Sequence, residues 1–286
     1  MVNSKIRFLV LDGYPKAHRG PLAENGGTLA GELYAERLKD CAPGCDTHIL
    51  FPADADCVLP AGDSLAQYDG IVWTGSSLTI HDEHDEQVVR QIKFAQAAFE
   101  AGVPMFGSCW AAQMAVTAAG GRCAPNPRGR EFGLARKIEL SAEGRGHPLY
   151  AGKRTVFDGY TSHQDEITHL PSGAVSLAGN AFTFVQAVDV TYRGGSFWAV
   201  QYHPEYDLHE IASLCRWRRE ALTAQGNFAT VAEADIFIEK MEALHQDPAR
   251  TDLRWQMGVD DDVLNTDVKW LEVRNWISAK ILPNAS

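Results

Sequence analysis

A cysteine that follows a short apolar run is the first candidate for chemistry. The segment FGSCWAAQ, residues 106–113, puts Cys109 just after the strand-like run VPMF, with Gly107 before it and Ala111 after it. A nucleophile on a sharp strand-to-helix turn needs small neighbours, because the backbone there is crowded and strained. The start of a helix also offers N–H groups that favour a thiolate and can hold an oxyanion. The residues alone leave two interpretations open, a catalytic nucleophile and a structural buried cysteine.

The segment QYHPE, residues 201–205, supplies a histidine and a carboxylate at the end of a predicted strand. His203 and Glu205 are two positions apart, so on extended backbone their side chains point to the same side. Pro204 cannot donate a ladder hydrogen bond, which predicts that the strand ends here. A carboxylate beside an imidazole fixes its tautomer and stabilises its charged form. The alternative is a surface pair in a loop.

A third segment, DGIVWTGSS, residues 69–77, predicts a buried strand that ends in a loop of small residues. The loop contains Gly75, Ser76 and Ser77, and it can turn a backbone N–H toward the end of a neighbouring strand. Strand ends of this kind are where sheet enzymes place their chemistry. The alternative is an ordinary strand-to-helix connection.

The elements that must position these residues alternate along the first half of the chain. Continuous apolar runs predict buried strands at 5–13, 47–53, 69–77 and 103–107. Helix-period apolar residues predict helices at 26–40, 86–102 and 110–121. The Gly- and Pro-containing stretch before residue 26 is expected to be a loop. This alternation predicts an α/β fold, a doubly wound and mostly parallel sheet flanked by helices.

The pattern changes from about Arg122. Short β-like pieces follow at 134–140, 154–160, 174–179, 183–192 and 196–203, and beyond Glu205 the pattern is helical to the end. We therefore expect an α/β domain over 1–206 and a helical C-terminal extension over 207–286 that packs on it.

Composition excludes several classes of protein. The 286 residues carry 37 acidic and 26 basic side chains, a net charge of −11, which argues against a general nucleic-acid or anionic-membrane surface. No stretch approaches the roughly 20 apolar residues of a membrane span. The N-terminus does not have the pattern of a signal peptide, so we expect a cytoplasmic protein whose six cysteines are reduced.

Together the three segments resemble the class I (triad) glutamine amidotransferase domain, whose sheet is flavodoxin-like. The resemblance covers roughly residues 5–206, and the TSHQDEI segment at 161–167 and the EFGLARKIEL segment at 131–140 support it. Stand-alone members similar to GMP synthase glutaminase domains, including γ-glutamyl peptidases, look closest. The last residue of the usual G-x-C-x-G pattern is alanine here, and the loop that often contains GGP contains TGSS.

The resemblance implies a catalytic role for five residues. Cys109 matches the nucleophile, His203 the general base and Glu205 the residue that orients the base. The backbone N–H groups of Gly75 and Trp110 match the oxyanion hole.

The resemblance also implies a substrate site and a reaction. Gln113, Ser162 and His163 match positions that contact the amino-acid end of the substrate or line its pocket. The implied reaction is hydrolysis of the side-chain amide of glutamine, or of a γ-glutamyl bond, through a γ-glutamyl thioester. No metal ion and no organic cofactor is required.

Several questions stay open at this point. The chain can be a free hydrolase, or it can deliver ammonia to a separate ATP-dependent synthetase. The helical extension is a candidate docking or homodimer surface. A non-catalytic or regulatory module on the same fold, and a DJ-1/PfpI-like cysteine protein, are the alternatives.

Overall fold

The computed structural model describes residues 5–284, which form eleven strands and eleven α-helices. The strands are β1 (Arg7–Leu11), β2 (Asp46–Leu50), β3 (Gly70–Trp73), β4 (Met105–Ser108), β5 (Arg122–Pro125), β6 (Glu131–Leu140), β7 (Val156–His163), β8 (Asp165–His169), β9 (Ala174–Gly179), β10 (Ala187–Tyr192) and β11 (Gly195–Val200). The helices are α1 (Lys16–Glu24), α2 (Ala30–Cys41), α3 (Glu86–Ala101), α4 (Trp110–Ala118), α5 (Ala142–Gly146), α6 (Leu208–Ala224), α7 (Val231–Gln246), α8 (Thr251–Met257), α9 (Asp261–Leu264), α10 (Thr266–Lys269) and α11 (Leu271–Trp276).

Nine strands form one sheet in the order β2-β1-β3-β4-β11-β10-β9-β6-β7. The five strands from β2 to β11 are parallel, and those from β11 to β7 pair antiparallel. β5 and β8 form a separate two-stranded sheet. The predicted α/β class with a doubly wound sheet is therefore confirmed. The antiparallel half belongs to the segment in which the sequence pattern changes from long helices to short strands.

Apolar layers cover both faces of the parallel strands, because alternate residues of each strand point to opposite sides. On one face, Leu9 and Trp73 pack with α3 and α4. On the other face, Phe8 and Val10 pack with α2 and with Trp276 at the end of α11. The C-terminal helices that we predicted are present, and α11 contributes directly to this second layer. A third apolar cluster joins α6, α7 and α8 to the sheet domain.

One local prediction is wrong. The stretch before residue 26, expected to be a loop, contains the helix α1. Gly20 and Pro21 lie inside it and lower its intrinsic helix propensity, which is why the local pattern does not reveal it. Among residues 5–284, no helix is both long enough and apolar enough to cross a membrane.

Candidate active site

The three predicted segments meet at one edge of the sheet. β3, β4 and β11 are parallel neighbours that pair in register at their carboxyl ends, Trp73 with Gly107 and Val200 with Ser108. Cys109 follows β4 directly, and the Gly75 and His203 loops follow β3 and β11. Carboxyl ends of adjacent parallel strands lie side by side, so residues far apart in sequence converge here.

Cys109 occupies a strained turn between β4 and α4. Its φ of 54° and ψ of −97° lie outside the regions that non-glycine residues normally adopt. A Cβ added to Gly107 would lie 2.1 Å from the carbonyl oxygen of Trp73 and 2.6 Å from the Cβ of Ala111, so this position requires glycine. Ala111 itself is fully buried and fits the elbow. The side chain of Cys109 is held in a defined place, with its sulfur 3.9 Å from the carbonyl oxygen of Ser162.

His203 and Glu205 form a buried pair beside the cysteine. Nδ1 of His203 lies 2.7 Å from Oε1 of Glu205, and both side chains are 2% exposed. The hydroxyl of Ser108 donates to the same carboxylate oxygen at 2.7 Å. The ring of Tyr206 stacks on the imidazole, with centroids 4.0 Å apart and planes 5° apart. These contacts fix the ring so that its other nitrogen, Nε2, faces away from the carboxylate.

The charged form of His203 is favoured. Burial lowers the pKa of this imidazole, but the charge of Glu205 and the neighbouring sulfur of Cys109 raise it, with a net value of about 10. At neutral pH the ring therefore holds a proton, which suits a group that pairs with a thiolate and later protonates a leaving amine.

The loop after β3 brings Gly75 against the other two segments. A Cβ added to Gly75 would lie 3.0 Å from Cε1 of His203 and 3.8 Å from the Cβ of Cys109. The hydroxyl of Thr74 donates to the carbonyl of Gly75 at 2.7 Å and accepts from the N–H of Gly13 at 2.9 Å. The loop is thereby fixed to the turn that follows β1, as a preorganised hydrogen-bond site requires.

Trp110 begins α4 directly after the cysteine. Its indole Nε1 donates to Oε1 of Gln91 at 3.0 Å, which anchors this residue to α3. Its backbone N–H is one of those at the first turn of a helix, where the helix dipole favours negative charge.

The three residues predicted to bind substrate line the cavity at Cys109. Gln113 donates to the backbone carbonyl of Asp165 at 3.5 Å. The hydroxyl of Ser162 is buried and has no hydrogen-bond partner among the described residues, so it is available to a ligand. The structure thus brings all eight predicted residues to one region.

His163 belongs to a second buried histidine–glutamate pair. Its Nε2 lies 3.0 Å from Oε2 of Glu131, and its Nδ1 lies 2.8 Å from the backbone oxygen of Asp165. Burial raises the pKa of the Glu131 carboxyl, but the hydrogen bond and the charge of His163 outweigh burial and lower it. Both ring nitrogens of His163 face acceptors, which leaves neither of them to take a proton from the Cys109 thiol. This pair holds the cavity wall in place.

The cavity has a volume of about 810 Å³ and contains residues that sequence reasoning missed. Helix α6 supplies Trp217 and Arg218, helix α1 supplies His18, and Arg130, just before β6, also lines the cavity. The signal that could have found α6 is its run RWRR, residues 216–219, in a chain of net charge −11. Within residues 5–284, no group of three or more His, Cys, Asp or Glu side chains could hold a metal ion.

Comparisons with known proteins agree with this geometry. Residues 48–214 match the model of the family described as glutamine amidotransferase class-I. The chain is 35% identical over 287 residues to the gamma-glutamyl-L-1-hydroxyisopropylamide hydrolase of a Pseudomonas species. This alignment covers 98% of this chain and 95% of that protein. It is also 27% identical over 221 residues to the glutamine-hydrolyzing GMP synthase of Bordetella avium, in an alignment that covers 74% of this chain but 39% of the synthase.

A solved structure supports the same fold. A glutamine amidotransferase from Thermotoga maritima matches with a TM-score of 0.66 and 13% identity, over 96% of this chain and 98% of that one. At this identity the match concerns the fold alone, whereas the family match and the Pseudomonas relative extend to the kind of chemistry. The chain therefore belongs to the class I glutamine amidotransferase family, and it is an enzyme that hydrolyses the side-chain amide of glutamine or a γ-glutamyl amide.

Proposed function

We propose that the chain hydrolyses γ-glutamyl amides of small amines without a synthetase, using Cys109, His203 and Glu205. The observation that carries this proposal is the size of the cavity at Cys109. Its volume of about 810 Å³ lies in the range of roughly 300–1,000 Å³ that holds drug-sized ligands, which leaves room for an amine beyond the γ-glutamyl group.

In the first half of the reaction, His203 holds the proton of the Cys109 thiol. The sulfur attacks the γ-carbonyl carbon of the substrate, and a carbon–sulfur bond forms. The carbonyl oxygen takes the negative charge beside the backbone N–H groups of Gly75 and Trp110. One such donor is worth roughly 3–4 kcal/mol in related acyl-transfer chemistry.

In the second half, the carbon–nitrogen bond breaks, and the imidazolium of His203 gives its proton to the leaving amine. Water then attacks the γ-glutamyl thioester while His203 takes a proton from it. The carbon–sulfur bond breaks and glutamate leaves, which restores the thiolate of Cys109 beside the protonated ring of His203. Glu205 orients the ring throughout.

The similarity to the Pseudomonas hydrolase runs along nearly the whole chain, 98% of it. This favours a free hydrolase over a subunit that delivers ammonia to a separate ATP-dependent synthetase. The 27% identity to a GMP synthase keeps the synthetase-dependent function as the second candidate. We assign the activity to the cytoplasm, where a cysteine nucleophile stays reduced.

The test is glutamate release by the purified chain, measured with a coupled glutamate dehydrogenase assay. The substrates are glutamine, γ-glutamyl-L-1-hydroxyisopropylamide and a set of γ-glutamyl dipeptides. We expect turnover of the amides without any added protein, and a higher kcat/KM for them than for glutamine. Activity on glutamine alone, and only after an ATP-dependent synthetase is added, would instead support the second candidate.

Two cysteine variants control this assay. We expect Cys109→Ser to lose activity at least about 1,000-fold, because it removes the nucleophile. Cys57→Ser, at a half-buried cysteine outside the cavity, should leave kcat/KM unchanged. Equal activity of the two variants would contradict the assigned nucleophile.

A further inference from the structure

Four arginines line the cavity, and they differ in how their charges are paired. Arg216 pairs with Glu242 at 2.8 Å, and Arg219 pairs with Asp235 at 3.3 Å. The other two, Arg130 and Arg218, have no carboxylate within ion-pair distance among residues 5–284. Two uncompensated cations in one half-buried cavity are unexpected in a chain of net charge −11.

Arg130 is held in place by neutral groups. Its Nε donates to Oε1 of Gln225 at 2.9 Å, and its Nη2 donates to Oε1 of Gln164 at 3.2 Å. Gln164 lies between β7 and β8, and Gln225 caps α6, so amides from two different parts of the fold hold the guanidinium. Amide oxygens orient the fork without neutralising its charge. Burial, and then the charge of Arg218, lower the pKa of Arg130.

Arg218 lies over an aromatic ring. Its guanidinium carbon is 4.5 Å from the ring centroid of Trp217, and that ring contacts the ring of His18, with centroids 5.7 Å apart and planes tilted by 60°. Nδ1 of His18 is 2.6 Å from the hydroxyl of Ser77, in the loop that carries Gly75. These contacts therefore connect this arginine to the loop of the proposed oxyanion site.

We propose that Arg130 and Arg218 form a carboxylate clamp for the substrate. A planar guanidinium binds a carboxylate through paired hydrogen bonds. Asp165 and Glu220 also line the cavity, but neither forms an ion pair with these two arginines, so both guanidinium groups can bind an anionic ligand. This inference rests on the proposed function, because a γ-glutamyl substrate brings one carboxylate on its α-carbon and can bring another on its amine. The clamp holds one of these two carboxylates.

Three ligands separate the two sources of the carboxylate. γ-Glutamylglycine has both carboxylates, γ-glutamylglycinamide lacks the one on the amine, and isoglutaminyl-glycine has a carboxamide in place of the α-carboxylate. Binding is measured by calorimetry on the Cys109→Ala protein, so that turnover does not interfere. The same titrations are repeated with Arg130→Met and Arg218→Met added to it, and with Arg145→Met as an exposed arginine control.

We expect each clamp variant to weaken binding of γ-glutamylglycine by about 10–100-fold. The Cys109→Ala parent should bind the ligand that lacks the clamped carboxylate about 10–100-fold more weakly than it binds γ-glutamylglycine. The arginine variants should not weaken binding of that ligand further. Insensitivity of isoglutaminyl-glycine identifies the α-carboxylate, and insensitivity of γ-glutamylglycinamide identifies the carboxylate of the amine. Arg130→Lys and Arg218→Lys, which keep the charge, should recover part of the affinity.

The clamp is overturned if the arginine variants bind all three ligands as tightly as the parent, or if they weaken all three equally. It is also overturned if the parent does not bind γ-glutamylglycine at millimolar concentration. Turnover by the Cys109-containing protein is measured separately. Binding without turnover would reject the proposed function and keep the clamp, whereas turnover that is insensitive to both arginine variants would keep the function and reject the clamp.

Discussion

Replacing Glu205 by glutamine removes one charge from the site and keeps the shape of the side chain. The side chain of Glu205 is 2% exposed, and its Oε1 lies 2.7 Å from Nδ1 of His203. The reaction proposed above requires the imidazolium of His203 both as partner of the thiolate and as donor to the leaving amine. Loss of the carboxylate therefore destabilises the charged form of the His203 ring.

The magnitude follows from the role of the ring. General acid–base catalysis by a positioned side chain contributes about 100- to 10,000-fold to the rate. Because Glu205 holds the ring in its charged form and orientation, we expect kcat/KM of Glu205→Gln to fall by about 100- to 10,000-fold.

The pH dependence gives a second measurement of the same effect. The pKa of His203 is raised to about 10 from an ordinary 6.5, so the stabilisation of its charged form is complete below about pH 6.5 and is lost as pH rises through about 10. The basic limb of the wild-type rate profile should therefore lie well above neutral pH. In Glu205→Gln this limb should move to lower pH.

The assay is steady-state glutamate release between pH 5 and pH 10.5, with Glu239→Gln as a control at an exposed glutamate of α7. Thermal unfolding of each variant checks that the fold is intact. Retention by Glu205→Gln of more than a tenth of the wild-type kcat/KM, with an unmoved basic limb, would refute the orienting role.

Three further predictions concern the groups that support the site. Ser108→Ala should lower kcat/KM about 10–100-fold in the glutamate assay, because its hydroxyl donates at 2.7 Å to the orienting carboxylate and such bonds are worth ~1.5–3 kcal/mol; an unchanged rate would contradict this. In urea unfolding, Gly107→Ala should lose at least about 4 kcal/mol, because its Cβ would lie 2.1 Å from a backbone oxygen, while Gly146→Ala, with open space around it, should change stability by less than about 1 kcal/mol. Glu272→Gln should lower the free energy of unfolding by about 3–5 kcal/mol, because it leaves the buried ammonium of Lys153, 2.8 Å away, without its charge partner; a loss below 1 kcal/mol would contradict this reasoning.

The convergence of Cys109, His203 and Glu205 could be predicted because its signals are local. Cys109 is marked by small residues within two positions of it, and His203 and Glu205 are two positions apart with a strand-ending proline between them. The continuous apolar strands β1 and β3 identify a sheet covered on both faces. The carboxyl-edge location of all three segments then follows from the topology of parallel sheets.

The substrate side could not be predicted in the same way. Arg130 and Arg218 come from different elements, and only tertiary packing brings them to one cavity. A cation at the surface and a cation in a pocket look alike in sequence, because what distinguishes them is the absence of a nearby carboxylate in space. Helix α1 was not predicted because Gly20 and Pro21 lower its local helix propensity. Packing of residues such as Leu22 stabilises it instead.

Helix α6 links the helical C-terminal region to the chemistry. Its apolar face, including Leu214, is buried in the cluster that joins α7 to the sheet domain, while Trp217 and Arg218 lie in the cavity. A change in how α6 packs would therefore move the arginine and, through His18 and Ser77, reach the loop that carries Gly75. Since residues 207–286 include this helix, we expect the proposed extension to determine which amide is hydrolysed, while the strand ends of the sheet supply the hydrolysis itself.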